Sequence, residues 1–281
     1  MKPRDEVIRI TASMTVACAA GAAILGAVYV ATDRYQRAAQ LADERGAIVE
    51  LLGLGPGAEV TEVRQSLDPG VAGQPATRAV IYEARPLGDH GAPRRFAFSL
   101  DGVPVPVAGA AGARAQRAPE PLGHLFVARQ GGREAGFVVE GMAQGYKNPI
   151  RFLVALTPAF EIAGVRVVEH QEDPGLGAEV ARRGFEDQFV GRTADDVARL
   201  DVTRDPMPED WHAALLQLER TPPPAWRAAH AALLERERGR PIYAVTGATI
   251  SSRALTGGVR ATIDHFRRRW ALIQPQLEGG S

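Results

Sequence analysis

The stretch Thr246-Gly247-Ala248-Thr249-Ile250-Ser251-Ser252 gathers four hydroxyl side chains around one glycine and one alanine. A hydroxyl can donate or accept a hydrogen bond, or carry an ester, and residues as small as Gly247 and Ala248 let another group come close to the backbone. A Ser or Thr hydrolase needs a paired base. No histidine stands in such a context here and no Gly-x-Ser-x-Gly elbow occurs. No paired acid and base marks a catalytic site, and no His, Cys or carboxylate spacing marks a metal site.

Two elements must hold this stretch. "PIYAV" (241–245) reads as a strand, and "SRALTGGVRATIDHFRRRWALI" reads as a long helix with Ala254, Leu255, Val259, Ile263 and Phe266 near one face. Thr246 to Thr249 is then the corner between them. A helix start presents unpaired N–H groups and a partial positive charge, which suit an anion and phosphate above all. The plainer alternative is a capped helix, in which Ser251 or Ser252 accepts an N–H bond and Thr249 is only nearby.

A second run of small residues lies in "EDPGLGAEVARRGFEDQFVGR" (172–192). Pro174-Gly175 ends a strand, and Gly177 permits a close approach or a left-handed backbone. Val180, Phe185 and Phe189 suit the apolar stripe of an amphipathic helix that Gly191 stops.

Lys and Arg total 33, as do Asp and Glu, so no basic face calls for nucleic acid. The one cysteine, Cys18, excludes an iron–sulfur cluster, a Cys-type zinc site and an intrachain disulfide. Ile10 to Ala31 is free of charge and long enough, at about 33 Å as a helix, to cross a bilayer core. It exceeds the usual signal-peptide core, so residues 1–32 read as a retained membrane anchor, with flanking arginines that leave its orientation open.

"RYQRAAQLADERGAIVELLGLG" (34–55) predicts a helix ending at glycine, and the Gly- and Pro-rich stretches 54–76 and 101–123 read as loops. "RAVIYEA" (78–84) and "RRFAFSL" (94–100) have strand character. "HLFVARQGGREAGFVVEGMA" gives a hairpin about Gly131-Gly132, and "IRFLVAL" pairs with "EIAGVRVVEH". Short turns between such runs predict antiparallel pairing and an α+β fold with an antiparallel sheet and flanking helices. Residues 33–123 read as a helix and the N-terminal part of the domain, and 124–281 as its main part. The segment 205–240 is an inserted helical pair, whose His212 and His230 are surface or packing residues.

Thr246 to Ser252 resembles the flavinylation motif of the FMN-binding domain family, found in the G subunit of the Rnf ion-translocating oxidoreductase and the C subunit of the sodium-pumping NADH:quinone reductase. "GYKNPIRFLVAL" (145–156) and "GVRVVEHQEDPGLGAEV" (164–180) resemble two further family segments, in the same order, and the former favours the Rnf protein. The resemblance implies FMN bound covalently as a phosphoester of Thr249. Thr246, Gly247, Ala248 and Ser251 would shape the phosphate corner, and Gly175, Leu176 and Gly177 would approach the flavin ring. It further implies an electron-relaying subunit of a membrane complex, on the extracytoplasmic (periplasmic) side of the cytoplasmic membrane. Its partners would be other Rnf-type membrane subunits and, for maturation, a flavin transferase. Tyr243 departs from the family, which has an acidic residue at that position. That departure motivates the alternative of an anchored scaffold of the same fold without flavin.

Overall fold

The computed structural model describes residues 46–278, apart from 56, 69–77, 90, 108–118, 219–220 and 222, and before them only Met14. The expected anchor therefore lies outside the described residues, among which no helix is long and apolar enough to cross a membrane. Met1–Gly46 and Ala47–Ser281 are separate compact units, and the architecture below is that of the second.

Among the described residues, eight strands form one sheet in the order β4-β3-β2-β1-β5-β6-β7-β8. They are β1 (Glu59–Asp68), β2 (Ala79–Pro86), β3 (Arg94–Ser99), β4 (Pro104–Val105), β5 (Glu120–Gln130), β6 (Arg133–Gln144), β7 (Pro149–Leu156) and β8 (Ile162–Glu169). Every neighbouring pair is antiparallel, as the short turns predict. The hairpin about Gly131-Gly132 joins β5 to β6.

β1 overturns one expectation. It lies within the stretch read as a loop, yet it sits mid-sheet between β2 and β5. Glycines and prolines crowd both its ends and hide the alternation inside: Val60 and Glu62 are buried on one face, Val63 on the other. Glu62 breaks the apolar pattern because it is paired rather than apolar, with Arg64 Nε at 2.8 Å and His124 Nδ1 at 3.0 Å. β5 also begins inside the second expected loop, and runs across the division expected at residue 123.

The C-terminal helix, Thr249–Glu278, covers one face of the sheet. Leu255, Val259, Ile263, Phe266 and Trp270 are buried there against Phe137, Phe152 and Val139. Side chains of this size each gain about 1.5–3 kcal/mol from leaving water. Close approach requires Gly258, since a Cβ there would stand 2.7 Å from Ala143 Cβ. Farther along, Arg269 donates to the Tyr82 hydroxyl on β2 at 3.0 Å, so the helix crosses the sheet obliquely. The other face packs on Ile48, Leu51 and Leu52 of the helical residues 47–52, which end at Gly53 as predicted.

The segment after β8 is not one amphipathic helix. It is a 3-10 turn (Gly177–Ala181), a single α-turn (Arg183–Glu186) and a second 3-10 turn (Asp187–Phe189), broken where Arg182 is extended. Val180, Phe185 and Phe189 are buried as the pattern requires. Glu186 explains the break: its carboxylate accepts from the Val167 amide and from Arg166, both at 2.6 Å, which ties the turn to β8. The insertion forms helices Glu209–Leu218, Pro223–Ala229 and Ala231–Arg238, with a local core of Trp211 and Trp226.

Candidate functional site

The corner Val245–Ser252 stands where the chain leaves β10 (Ile242–Tyr243), which pairs in parallel with β9 (Val202–Thr203), and starts the C-terminal helix at Thr249. The Ala248 amide donates to the Val245 carbonyl at 2.9 Å and closes the turn. Gly247 sits at φ 80°, a left-handed conformation that favours glycine. Thr246 and Gly247 are exposed, Thr249 is half-buried and Ala248 is buried. The first amides of the helix, from Thr249 on, have no carbonyl one turn before them. Two threonine hydroxyls thus accompany a helix start of the kind that accepts an anion.

The two serines do not cap the helix from within. Ser252 Oγ accepts the Val245 amide hydrogen at 3.2 Å, outside the helix. Ser251 donates its hydroxyl to Glu172, in the segment following β8. The corner is thereby fastened both to the strand before it and to the Pro174-Gly175-Leu176-Gly177 loop.

That loop lies against the corner. A Cβ at Gly177 would stand 2.9 Å from Ser251 Oγ, and one at Gly247 would stand 3.1 Å from Leu176 Cδ2. Gly175, at φ 74°, has nothing within 4 Å of where its Cβ would be. Leu176 is 49 % exposed and Ile250 58 % exposed, so two apolar side chains face solvent around Thr249. Exposed aliphatic groups beside an anion-accepting turn are what an amphipathic ligand, with an apolar ring and a phosphate end, would use. Beyond Thr246 a groove of about 540 Å³ runs between residues 179–188 and 204–212, bordered by Arg182, Met207, His212 and Tyr243.

Sequence reasoning missed Glu172. Its side chain is buried, and it accepts the amide hydrogens of Lys147 at 2.9 Å, Tyr146 at 3.2 Å and Asn148 at 3.4 Å in the β6–β7 turn. Burial pushes its pKa up, but the Ser251 hydroxyl and the three amides outweigh this and hold the carboxyl below its ordinary value. A single acidic residue beside a turn gives no periodic signal. Tyr243, at the motif position that departs from the family, is buried and donates its hydroxyl to Glu237 of the insertion at 3.1 Å.

Residues 145–264, the stretch in which the motifs fall, match the family described as the FMN-binding domain. Among curated relatives, the G subunit of the proton-translocating ferredoxin:NAD(+) oxidoreductase complex of Clostridium ljungdahlii is 29 % identical over 139 residues, covering 50 % of this chain and 57 % of that protein. The G subunit of the Na(+)-translocating ferredoxin:NAD(+) oxidoreductase complex of Acetobacterium woodii is 26 % identical over 150 residues, 53 % of this chain and 58 % of its own. The G subunit of the ion-translocating oxidoreductase complex of Haemophilus influenzae is 40 % identical over 73 residues, 24 % of this chain and 35 % of that protein. The chain thus spans little more than half the length of the first two. Among solved structures, the C subunit of the Na(+)-translocating NADH-quinone reductase from Parabacteroides distasonis is similar over 52 % of this chain and 61 % of that one, at 15 % identity and a TM-score of 0.36. The expected family resemblance is borne out by the domain match and the G-subunit relatives.

Proposed function

We propose that this chain is a membrane-anchored flavoprotein subunit that relays electrons through FMN esterified to Thr249, within an Rnf-type ion-translocating oxidoreductase complex. Residues 1–32 would anchor it in the cytoplasmic membrane, with the FMN-binding domain on the extracytoplasmic side. Other membrane subunits would supply and remove electrons, and a flavin transferase would attach the cofactor. One observation carries this reading: within the matched domain, Thr249 begins a 30-residue helix at a corner flanked by the exposed apolar side chains of Leu176 and Ile250.

The residues present fit such a cofactor. The helix-start amides and the Thr246 hydroxyl can hold a phosphate, and the exposed threonine and glycine before Ala248 leave the approach open. Leu176 and Ile250 can shield apolar ring surface from water. Bound FMN would supply one- and two-electron redox chemistry that a chain with one cysteine lacks. The phosphoester would retain the cofactor without dependence on binding affinity.

Co-expression with a flavin transferase tests the proposal. Denaturing electrophoresis under ultraviolet light should show a fluorescent band for the wild type and none for Thr249→Ala. A dark wild-type band, in a host where a known family member fluoresces, contradicts covalent FMN. Tyr243 favours a second reading, a scaffold of the same fold without flavin, because the hydroxyl bonded to Glu237 stands where the family has a carboxylate. A flavin absorption spectrum in the purified protein excludes that reading.

A further inference from the structure

We infer that Glu172 is the residue that positions Thr249, by clamping three separate segments around one buried carboxylate; the inference rests on the functional reading of Thr249 given above. One oxygen, Oε1, accepts the Lys147 amide at 2.9 Å and the Asn148 amide at 3.4 Å. The other, Oε2, accepts the Tyr146 amide at 3.2 Å and the Ser251 hydroxyl. Three successive N–H groups aimed at one point make an anion-accepting concavity. Here that concavity is filled by a side chain of the protein itself, which also reaches the first turn of the C-terminal helix.

The surroundings leave this carboxylate little freedom. A Cβ at Gly145 would stand 2.5 Å from Glu172 Oε1 and 2.8 Å from the Asn148 carbonyl, and one at Gly177 would stand 2.9 Å from Glu172 Cβ. Two glycines from two segments therefore mould the box. The Gly145 amide donates to the Asn148 carbonyl at 3.0 Å and closes the turn that offers the three amides. At the rim, Lys147 Nζ pairs with Asp173 Oδ1 at 2.6 Å, a second tie between the same two segments. Charge-assisted hydrogen bonds of this kind are the strong ones, and geometry held by four of them is far stiffer than a loop held by its own turns.

Glu172 thus sets where the helix start, and with it the Thr249 hydroxyl, stands relative to Leu176. Its negative charge also lies beneath the loop that borders the corner. A fixed negative charge near a flavin opposes the gain of electrons, so its removal favours the reduced form.

Full-length wild type, Glu172→Gln and Glu172→Ala, each made with and without a flavin transferase, test the inference. In unmodified Glu172→Gln, amide exchange at residues 146–148 and 249–252 should quicken by about tenfold, equivalent to about 1.4 kcal/mol, while amides within β6 and β7 keep their protection. The flavinylated fraction, read by intact mass, should fall severalfold in Glu172→Gln and further in Glu172→Ala. In the modified fraction the reduction potential should rise. Unchanged exchange at 146–148, or altered exchange with wild-type attachment and potential, overturns the inference. Glu172→Gln is nearly isosteric and keeps the test valid if Glu172→Ala does not fold. A wild type without flavin defeats the functional proposal, while exchange in the unmodified proteins still decides whether Glu172 clamps the corner.

Discussion

Ser252 Oγ accepts the amide hydrogen of Val245 at 3.2 Å, so the helix start and the strand end are bonded on either side of Thr246–Thr249. The six residues between them are thereby held as a closed loop, in which Thr246 and Gly247 face solvent. Ser252→Ala should lower stability by about 0.5–1.5 kcal/mol, the usual net value of one hydrogen bond, read from the urea midpoint at constant slope.

Gly247 holds the left-handed conformation at φ 80°. Gly247→Ala should cost about 1–2 kcal/mol from backbone strain alone, and its Cβ would crowd Leu176. Thermal unfolding measures the loss. A melting point equal to wild type would mean that the turn does not need this conformation.

Leu255 is fully buried in the first turns of the C-terminal helix, against the sheet that carries the corner. Leu255→Ala should destabilise by about 2–5 kcal/mol through lost burial and a residual cavity. Denaturant titration checks this, and a loss under about 1 kcal/mol would contradict the packing described.

Glu62 and His124 pair at 3.0 Å on the sheet face away from the C-terminal helix, with Arg64 and Arg85 bonded to Glu62 and Glu140 accepting the His124 amide. Burial pushes Glu62 up, but His124 and Arg64 outweigh it and bring its pKa from 4.5 to about 2. The hydrogen bond to Glu62 raises His124 above its ordinary 6.5, against burial. A lowered carboxylate stabilises the fold above its unfolded pKa and loses that contribution as pH falls from 4.5 toward 2. A raised histidine stabilises below its unfolded pKa and loses its contribution as pH rises through the folded one. The stability lost in His124→Gln should therefore be greatest between 4.5 and 6.5 and shrink above that range, measured as urea midpoints across pH. A pH-independent difference would contradict the ion pair.

The strands with short apolar or aromatic-rich runs, β2, β3 and β5 to β8, were legible in the sequence, and so was the strand–corner–helix arrangement about Thr249. β1 was not, because a buried ion pair at Glu62 replaces the apolar residue that the alternation calls for. The helix expected after Gly177 is broken by long-range bonds from Glu186 to β8, which no local pattern records. That the Gly175–Gly177 loop and the Thr246–Thr249 corner serve one site was implied by the family resemblance, and their small residues alone did not show it. The carboxylate that joins them, Glu172, sits 79 residues from Ser251 and became visible only in three dimensions.

The most direct test is the mass of the peptide bearing Thr249, from protein made beside a competent flavin transferase. The account predicts an increment equal to FMN less one water on that peptide, absent in Thr249→Ala. An intact chain weighing only the sum of its amino acids would contradict it.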